Sequence, residues 1–155
     1  MRLARGKTIL AKLRARTWRE RGLLLEAWLA LAAARGAVLA LPFGWLTPLL
    51  GQRNAAAGTV LSPEQTARAL QIGWAIAAAA RRTPWQSNCL AQAIAATALL
   101  RRRGIPSTLY LGVAKSADQP ERLTAHAWVR CGDRNVTGGD GEQRFAVLST
   151  FVGNG

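Results

Sequence analysis

Leu99-Leu100-Arg101-Arg102-Arg103-Gly104-Ile105-Pro106-Ser107-Thr108-Leu109-Tyr110-Leu111-Gly112-Val113 is where this chain changes its period. Ahead of Gly104 the pattern is helical, and three arginines sit where the negative end of a helix dipole would lie. Gly104 and then Pro106 stop that helix. Beyond them, Leu109, Leu111 and Val113 alternate with Thr108, Tyr110 and Gly112, which is a strand signature. Helical signals lie upstream of this switch and strand signals downstream. The chain therefore reads as an α+β fold, with N-terminal helices followed by a small antiparallel sheet.

Working upstream, the helix that ends near Arg103 opens at Cys89 and is capped by Asn88 or Ser87. Ser62-Pro63-Glu64-Gln65 is a strong helix start: a capping serine, a proline at the first position and an acidic first turn. That helix runs to about Arg81, and Thr83-Pro84 closes it. Residues 51–61 read as a loop. Residues 22–40, rich in Leu and Ala, read as a helix, after which Pro42, Gly44 and Pro48 break the pattern. Residues 6–21 form a basic amphipathic helix with Ile9, Leu10, Leu13 and Thr17 or Trp18 on one side. Downstream, residues 115–122 are a loop, 123–131 a second strand, Gly132-Asp133-Arg134 a turn, 135–137 an antiparallel return and 144–151 a last strand.

The chain has 155 residues, half of them apolar, which suits one domain with one core. It carries 21 basic and 8 acidic side chains, a formal charge of +13. Residues 1–21 hold eight Lys/Arg against one Glu, a basic arm that attracts anions of any kind. No aromatic-interleaved or groove-reading pattern accompanies it, so nucleic acid is not expected as a partner. Two cysteines make no disulfide framework, and two Cys with one His offer no obvious zinc site. No Walker-type phosphate loop is present and no cofactor is expected. The most apolar stretch, Gly22 to Leu50, is interrupted by Glu26, Arg35, Pro42 and Pro48. It reads as buried helix or partner-facing surface rather than a membrane span. No secretory signal is visible, so a cytoplasmic location is expected and membrane association is not.

Chemistry enters through Trp85-Gln86-Ser87-Asn88-Cys89-Leu90-Ala91-Gln92. A helix-opening cysteine meets unpaired amide N–H groups and the positive end of the helix dipole, both of which favour thiolate over thiol. The only histidine, His126, lies in Ala125-His126-Ala127-Trp128-Val129. On a strand, His126, Trp128 and Arg130 share one face, while Ala125, Ala127 and Val129 share the other and can pack on a helix. An imidazole beside the sulfur can take its proton and pass it to a leaving amine. Asp140, after Gly138-Gly139, could accept the other imidazole N–H and fix the tautomer. Asp133, at a hairpin tip, and Glu142 are its rivals. The backbone N–H of Cys89 is a natural oxyanion donor. Trp85, Gln86, Asn88 and Trp128 are candidates for the cleft wall or for oxyanion contacts. Trp85 could equally be a core aromatic, and Gln86 could cap or face solvent. Cys131 reads as an inert structural thiol.

Several of these residues carry a family resemblance. Asn88-Cys89-Leu90, Leu99-Leu100-Arg101-Arg102-Arg103-Gly104-Ile105-Pro106, Leu111-Gly112-Val113, Ala125-His126-Ala127-Trp128-Val129 and the ending from Phe145 to Phe151 resemble the lasso peptide biosynthesis B protein. The likeness is to its stand-alone C-terminal half, a transglutaminase-like leader peptidase. The resemblance implies a papain/transglutaminase-like core over residues 61–155, with a nucleophile helix on a small antiparallel sheet. Residues 1–60 would form a helical, partner-facing extension of the same single domain. It implies a Cys-His-Asp triad at Cys89, His126 and Asp140, and removal of the leader from a ribosomally made precursor peptide. It also implies a separate leader-recognition protein and an ATP-dependent lasso cyclase as partners. A transglutaminase-like acyl transferase and a non-catalytic basic binding module are the alternatives.

Overall fold

The computed structural model describes residues 17–55, 58–85, 88–119, 121–139 and 141–154. The helix expected over 6–21 thus falls mostly outside the described residues, as do Gln86, Ser87 and Asp140. The first described element is α1 (Trp18–Ala40), which joins residues 18–21 of the first expected helix to the whole of the expected 22–40 helix. Thr17-Trp18-Arg19-Glu20 explains the start. The Glu20 N–H donates to Thr17 Oγ1 at 3.3 Å, and the Thr17 N–H donates to the Glu20 carboxylate at 3.2 Å. This reciprocal capping box makes Thr17 the residue before the helix rather than a member of an apolar face.

Pro42 ends α1, but Gly44 and Pro48 do not prevent a second helix. That helix, α2 (Phe43–Leu50), contains Pro48. A proline there removes the N–H that would serve the Gly44 carbonyl one turn back. The Thr47 hydroxyl replaces it, donating to Gly44 O at 2.8 Å. The expected loop over 51–61 likewise contains a two-residue strand, β1 (Gln52–Arg53). The next helix is α3 (Pro63–Ala80), capped by Ser62 with Gln65 closing a second capping box. Then come α4 (Cys89–Arg101), β2 (Ser107–Lys115), β3 (Leu123–Cys131), β4 (Arg134–Thr137), a short 3-10 turn (Glu142–Arg144) and β5 (Ala146–Gly153).

The five strands form one antiparallel sheet in the order β1-β5-β2-β3-β4. Leu109, Ala127, Val129, Cys131 and Phe151 point into a core completed by α1, α3 and α4. Alanines dominate the helical side: Ala69, Ala75, Ala91, Ala93, Ala95 and Ala96 are buried around Leu31, Ile72, Ile76, Leu99 and Leu100. Small side chains let these helices approach closely. Gly73 carries this furthest, since a Cβ there would lie 2.2 Å from the Val136 carbonyl oxygen of β4. With 23 residues, α1 is long and apolar enough to cross a membrane by length and composition alone. In the fold it lies across α3 and α4, burying Ala27, Leu31 and Ala34. Its outer side leaves Leu25, Leu29 and Leu39 exposed.

One ion-pair cluster ties α1 to the switch region. Glu26 bonds Arg103 and lies 3.0 Å from Arg102. The arginines predicted to complement the helix dipole therefore also serve a second helix. The hydrogen bond from Arg103, aided by the charges of Arg103 and Arg102, holds the Glu26 carboxyl below its usual range against the opposing effect of burial. A carboxyl depressed in the folded state contributes stability above its unfolded pKa and loses it as pH falls through the folded value. Glu26→Gln is accordingly expected to cost about 1–2 kcal/mol near neutrality, by urea titration. The difference from wild type should shrink steadily as the buffer is acidified.

Candidate active site

Cys89 opens α4. Asn88 is its cap: Oδ1 accepts from the Ala91 N–H at 2.9 Å, and the first helical bond runs from the Gln92 N–H to Asn88 O at 3.1 Å. Those two bonds occupy the amides of Ala91 and Gln92. The N–H groups of Cys89 and Leu90 are the first-turn donors outside them, as geometry requires at a helix start. The thiol itself is free and half-buried.

His126 sits on β3, paired across from Gly112 of β2. Strand alternation sends Ala127 and Val129 into the helical core and places His126 and Trp128 on the other face. Because β4 pairs with β3 only from Val129 onward, the edge of β3 next to His126 has no strand partner on that side among the described residues. The imidazole is held from two directions. Phe145 lies 4.8 Å away, centroid to centroid, and Trp128 lies 5.8 Å away. Trp128 is in turn stacked on Tyr110 at 5.4 Å. Among the described residues, the ring also contacts the Gly138 carbonyl, Nε2 to O at 2.9 Å. A carbonyl oxygen only accepts, so Nε2 carries the proton and Nδ1 keeps the lone pair in the neutral ring.

Cys89 and His126 line the same cavity, about 540 Å³, between the start of α4, the flank of α3 and the Thr137–Gly139 segment. Three of its polar residues were not singled out by sequence. Gln92 lies three residues after Cys89, on the same face of α4. Thr137 is buried, and its Oγ1 has no partner among the described residues. Asn135 also lines this space. Its Nδ2 donates to Gly139 O at 3.4 Å, while its Oδ1 is buried without a described partner. Buried polar atoms in this state are suited to a ligand's amide groups. Among the described residues, no three His, Cys, Asp or Glu side chains come together to hold a metal.

The other sequence candidates are dispersed. Asp133 is exposed in the β3–β4 turn, about 20 Å along the strand from His126 at ~3.3 Å per residue. It lines a separate cavity of about 470 Å³ with Arg130 and Thr108. Glu142 is held below the usual carboxylate range chiefly by its hydrogen bond with Asn135, helped by the amides of Glu142 and Gly141. It thus ties Gly141 to Asn135 of β4. Trp85 packs on Trp28 of α1, with centroids 5.3 Å apart, rather than lining the thiol cavity. Trp128 acts behind the imidazole. Asp140 and Gln86 lie outside the described residues.

The two cysteines differ sharply. Cys131 is buried in the helix-facing core, and burial pushes its thiol up to about 12. It stays protonated and inaccessible at neutral pH, as a structural thiol should. Iodoacetamide at pH 7.5 is expected to add one carbamidomethyl group to the native chain, at Cys89, and two to the unfolded chain. Mass spectrometry of tryptic fragments reads the difference.

No curated protein and no solved structure matches the chain. A family model described as the transglutaminase-like superfamily matches residues 37–150, from the last turn of α1 into β5, and so takes in Cys89, His126 and the whole cavity between them. A helix-opening cysteine, a strand histidine in the same cavity and a match over most of its length together place this chain in the transglutaminase-like superfamily.

Proposed function

We propose that this chain is a cysteine peptidase that removes the leader from a lasso peptide precursor. The observation that carries the enzymatic part is the placement of Cys89 and His126 in one cavity, with the helix-start amides beside the sulfur. In this mechanism His126 Nδ1 takes the thiol proton as Cys89 Sγ attacks the scissile carbonyl. The amides of Cys89 and Leu90 donate to the oxyanion. Collapse of the tetrahedral intermediate breaks the C–N bond, and the imidazolium gives its proton to the leaving amine. Water, deprotonated by His126, then hydrolyses the thioester, releasing a carboxylate product and the free thiol. Asp140 is proposed as a further orienter of His126, acting with the Gly138 carbonyl.

The choice of a lasso precursor rests on the Asn88-Cys89-Leu90, Arg103-Gly104-Ile105-Pro106 and Ala125-His126-Ala127-Trp128 pattern. Leader recognition falls to a separate protein in this reading, and the exposed leucines of α1 are its proposed docking side. Ring closure falls to the ATP-dependent cyclase. The test incubates the chain with a lasso precursor peptide and a leader-recognition protein and follows peptide mass. Two fragments whose masses sum to the precursor plus one water support peptidase action. A product that joins an amine to the leader, with no water added, supports acyl transfer instead. An unchanged precursor under all conditions overturns both.

A further inference from the structure

The thiol cavity does not end at α3. Leu70 and Trp74 of α3 also line a second groove, about 570 Å³, which lies between the outer side of α3 and the first turns of α1. The other walls of this groove include Leu23 and Arg19 of α1 and Ala67 and Gln71 of α3. Leu70 and Trp74 line both spaces, so the groove adjoins the thiol cavity at Trp74 and extends from there to the start of α1. The indole of Trp74 is 40% exposed, on a helix whose opposite side is fully buried through Ala75 and Ile76. With Leu70 and Leu23 it makes an apolar floor with polar rims at Gln71 and Arg19, the usual composition of a ligand site of this size.

We infer that this groove binds the acyl-side segment of the peptide substrate and selects a large apolar side chain there. The inference rests on the peptidase reading, and the direction of the chain is set by the chemistry. His126 must protonate the departing amine, and it bounds the cavity from the sheet side with Gly138 and Asn135. The leaving segment exits past the imidazole. The acyl segment runs the other way, over Trp74 and along α3 toward Ala67. Seven residues of helix at ~1.5 Å each give about 10 Å, which an extended peptide covers in about three residues. The capping box of Thr17 and Glu20 fixes the end of α1 that forms the far wall.

The probe is a set of N-acetyl peptidyl chloromethyl ketones of one, two and four residues, the longer ones carrying leucine or phenylalanine. Each alkylates the sulfur irreversibly: the Cys89 thiolate displaces chloride and forms a thioether. Labelling of Cys89 is followed by mass spectrometry, with iodoacetamide as the length-independent control. In the wild type the four-residue reagent should react at least about 10-fold faster than the one-residue reagent, relative to iodoacetamide. Ala67→Trp fills the groove from an exposed position and should bring that ratio to within about twofold of unity. Gln71→Trp is a second blocking variant should the first fold poorly. Both should leave the iodoacetamide rate unchanged. A length gain that survives both variants, or no length gain with normal iodoacetamide reactivity, overturns the groove while leaving the catalytic reading intact. A Cys89 that iodoacetamide leaves unmodified overturns the catalytic reading and the groove with it.

Discussion

Cys89→Ala is expected to abolish turnover, lowering kcat by roughly 10⁴- to 10⁶-fold, with the melting temperature within about 2 °C of wild type. The two expectations have separate causes. Covalent catalysis disappears with the sulfur, and no neighbouring group replaces it, because the other thiol is buried in the core. Stability survives because Asn88, not Cys89, makes the capping bond, and alanine is the best helix former at the vacated position. His126→Ala should lose a comparable factor in turnover. Combining the two should cost little more than either alone, since base and nucleophile act as one unit. Single-turnover assays with the precursor, at enzyme excess, measure each factor. A Cys89→Ala chain that still cleaves at a percent or more of the wild-type rate would sink the covalent mechanism. A double variant whose loss is the product of the single losses would show that the two residues do not cooperate.

The fold was legible wherever a local signal decided it. Gly104 and the alternation from Thr108 to Val113 marked the helix-to-strand switch, and β3 spans 123–131 as the alternation required. Ser62 and Asn88 announced two helix starts because capping is a contact within four residues. The same logic at Thr17-Trp18-Arg19-Glu20 was equally available. The expected boundary between residues 21 and 22 instead falls inside α1, which begins at Trp18. Pro48 misled for a physical reason: its missing N–H is made good by the Thr47 hydroxyl, a compensation that propensity does not express. The site was half legible. Cys89 and His126 stood out by residue type, but their surroundings are set by long-range packing. Trp74 and Thr137 reach the cavity only because Gly73 lets α3 lie against the backbone of β4. The pairing of Glu26 with Arg103, 77 residues apart, left no trace in either local pattern.

Gly138→Ala is expected to be the most damaging substitution outside the reacting groups, and the reason joins backbone to chemistry. Gly138 has φ +96°, and a Cβ there would lie 2.3 Å from Trp128 Cβ and 3.0 Å from Trp128 Cα. Neither neighbour is a flexible side-chain end, so relief requires moving the strand end or the loop. That movement carries away the Gly138 carbonyl, the acceptor that holds His126 Nε2–H and leaves Nδ1 free to act as base. Expected losses are about 2–4 kcal/mol in stability and about 100-fold in turnover, the latter from a mispositioned imidazole. Gly139 next to it isolates the cause. Its φ of +70° makes alanine strained there too, but nothing lies within 4 Å of its Cβ position. Gly139→Ala should therefore cost only about 1 kcal/mol of backbone strain and leave turnover within about threefold of wild type. Urea titration and single-turnover rates compare the pair, and the ¹⁵N shifts of the sole histidine report its tautomer. If the two variants lose activity equally, the left-handed backbone is what matters and the close approach to Trp128 is not. If Gly138→Ala keeps the Nε2–H tautomer and its rate, the carbonyl is not what orients the base.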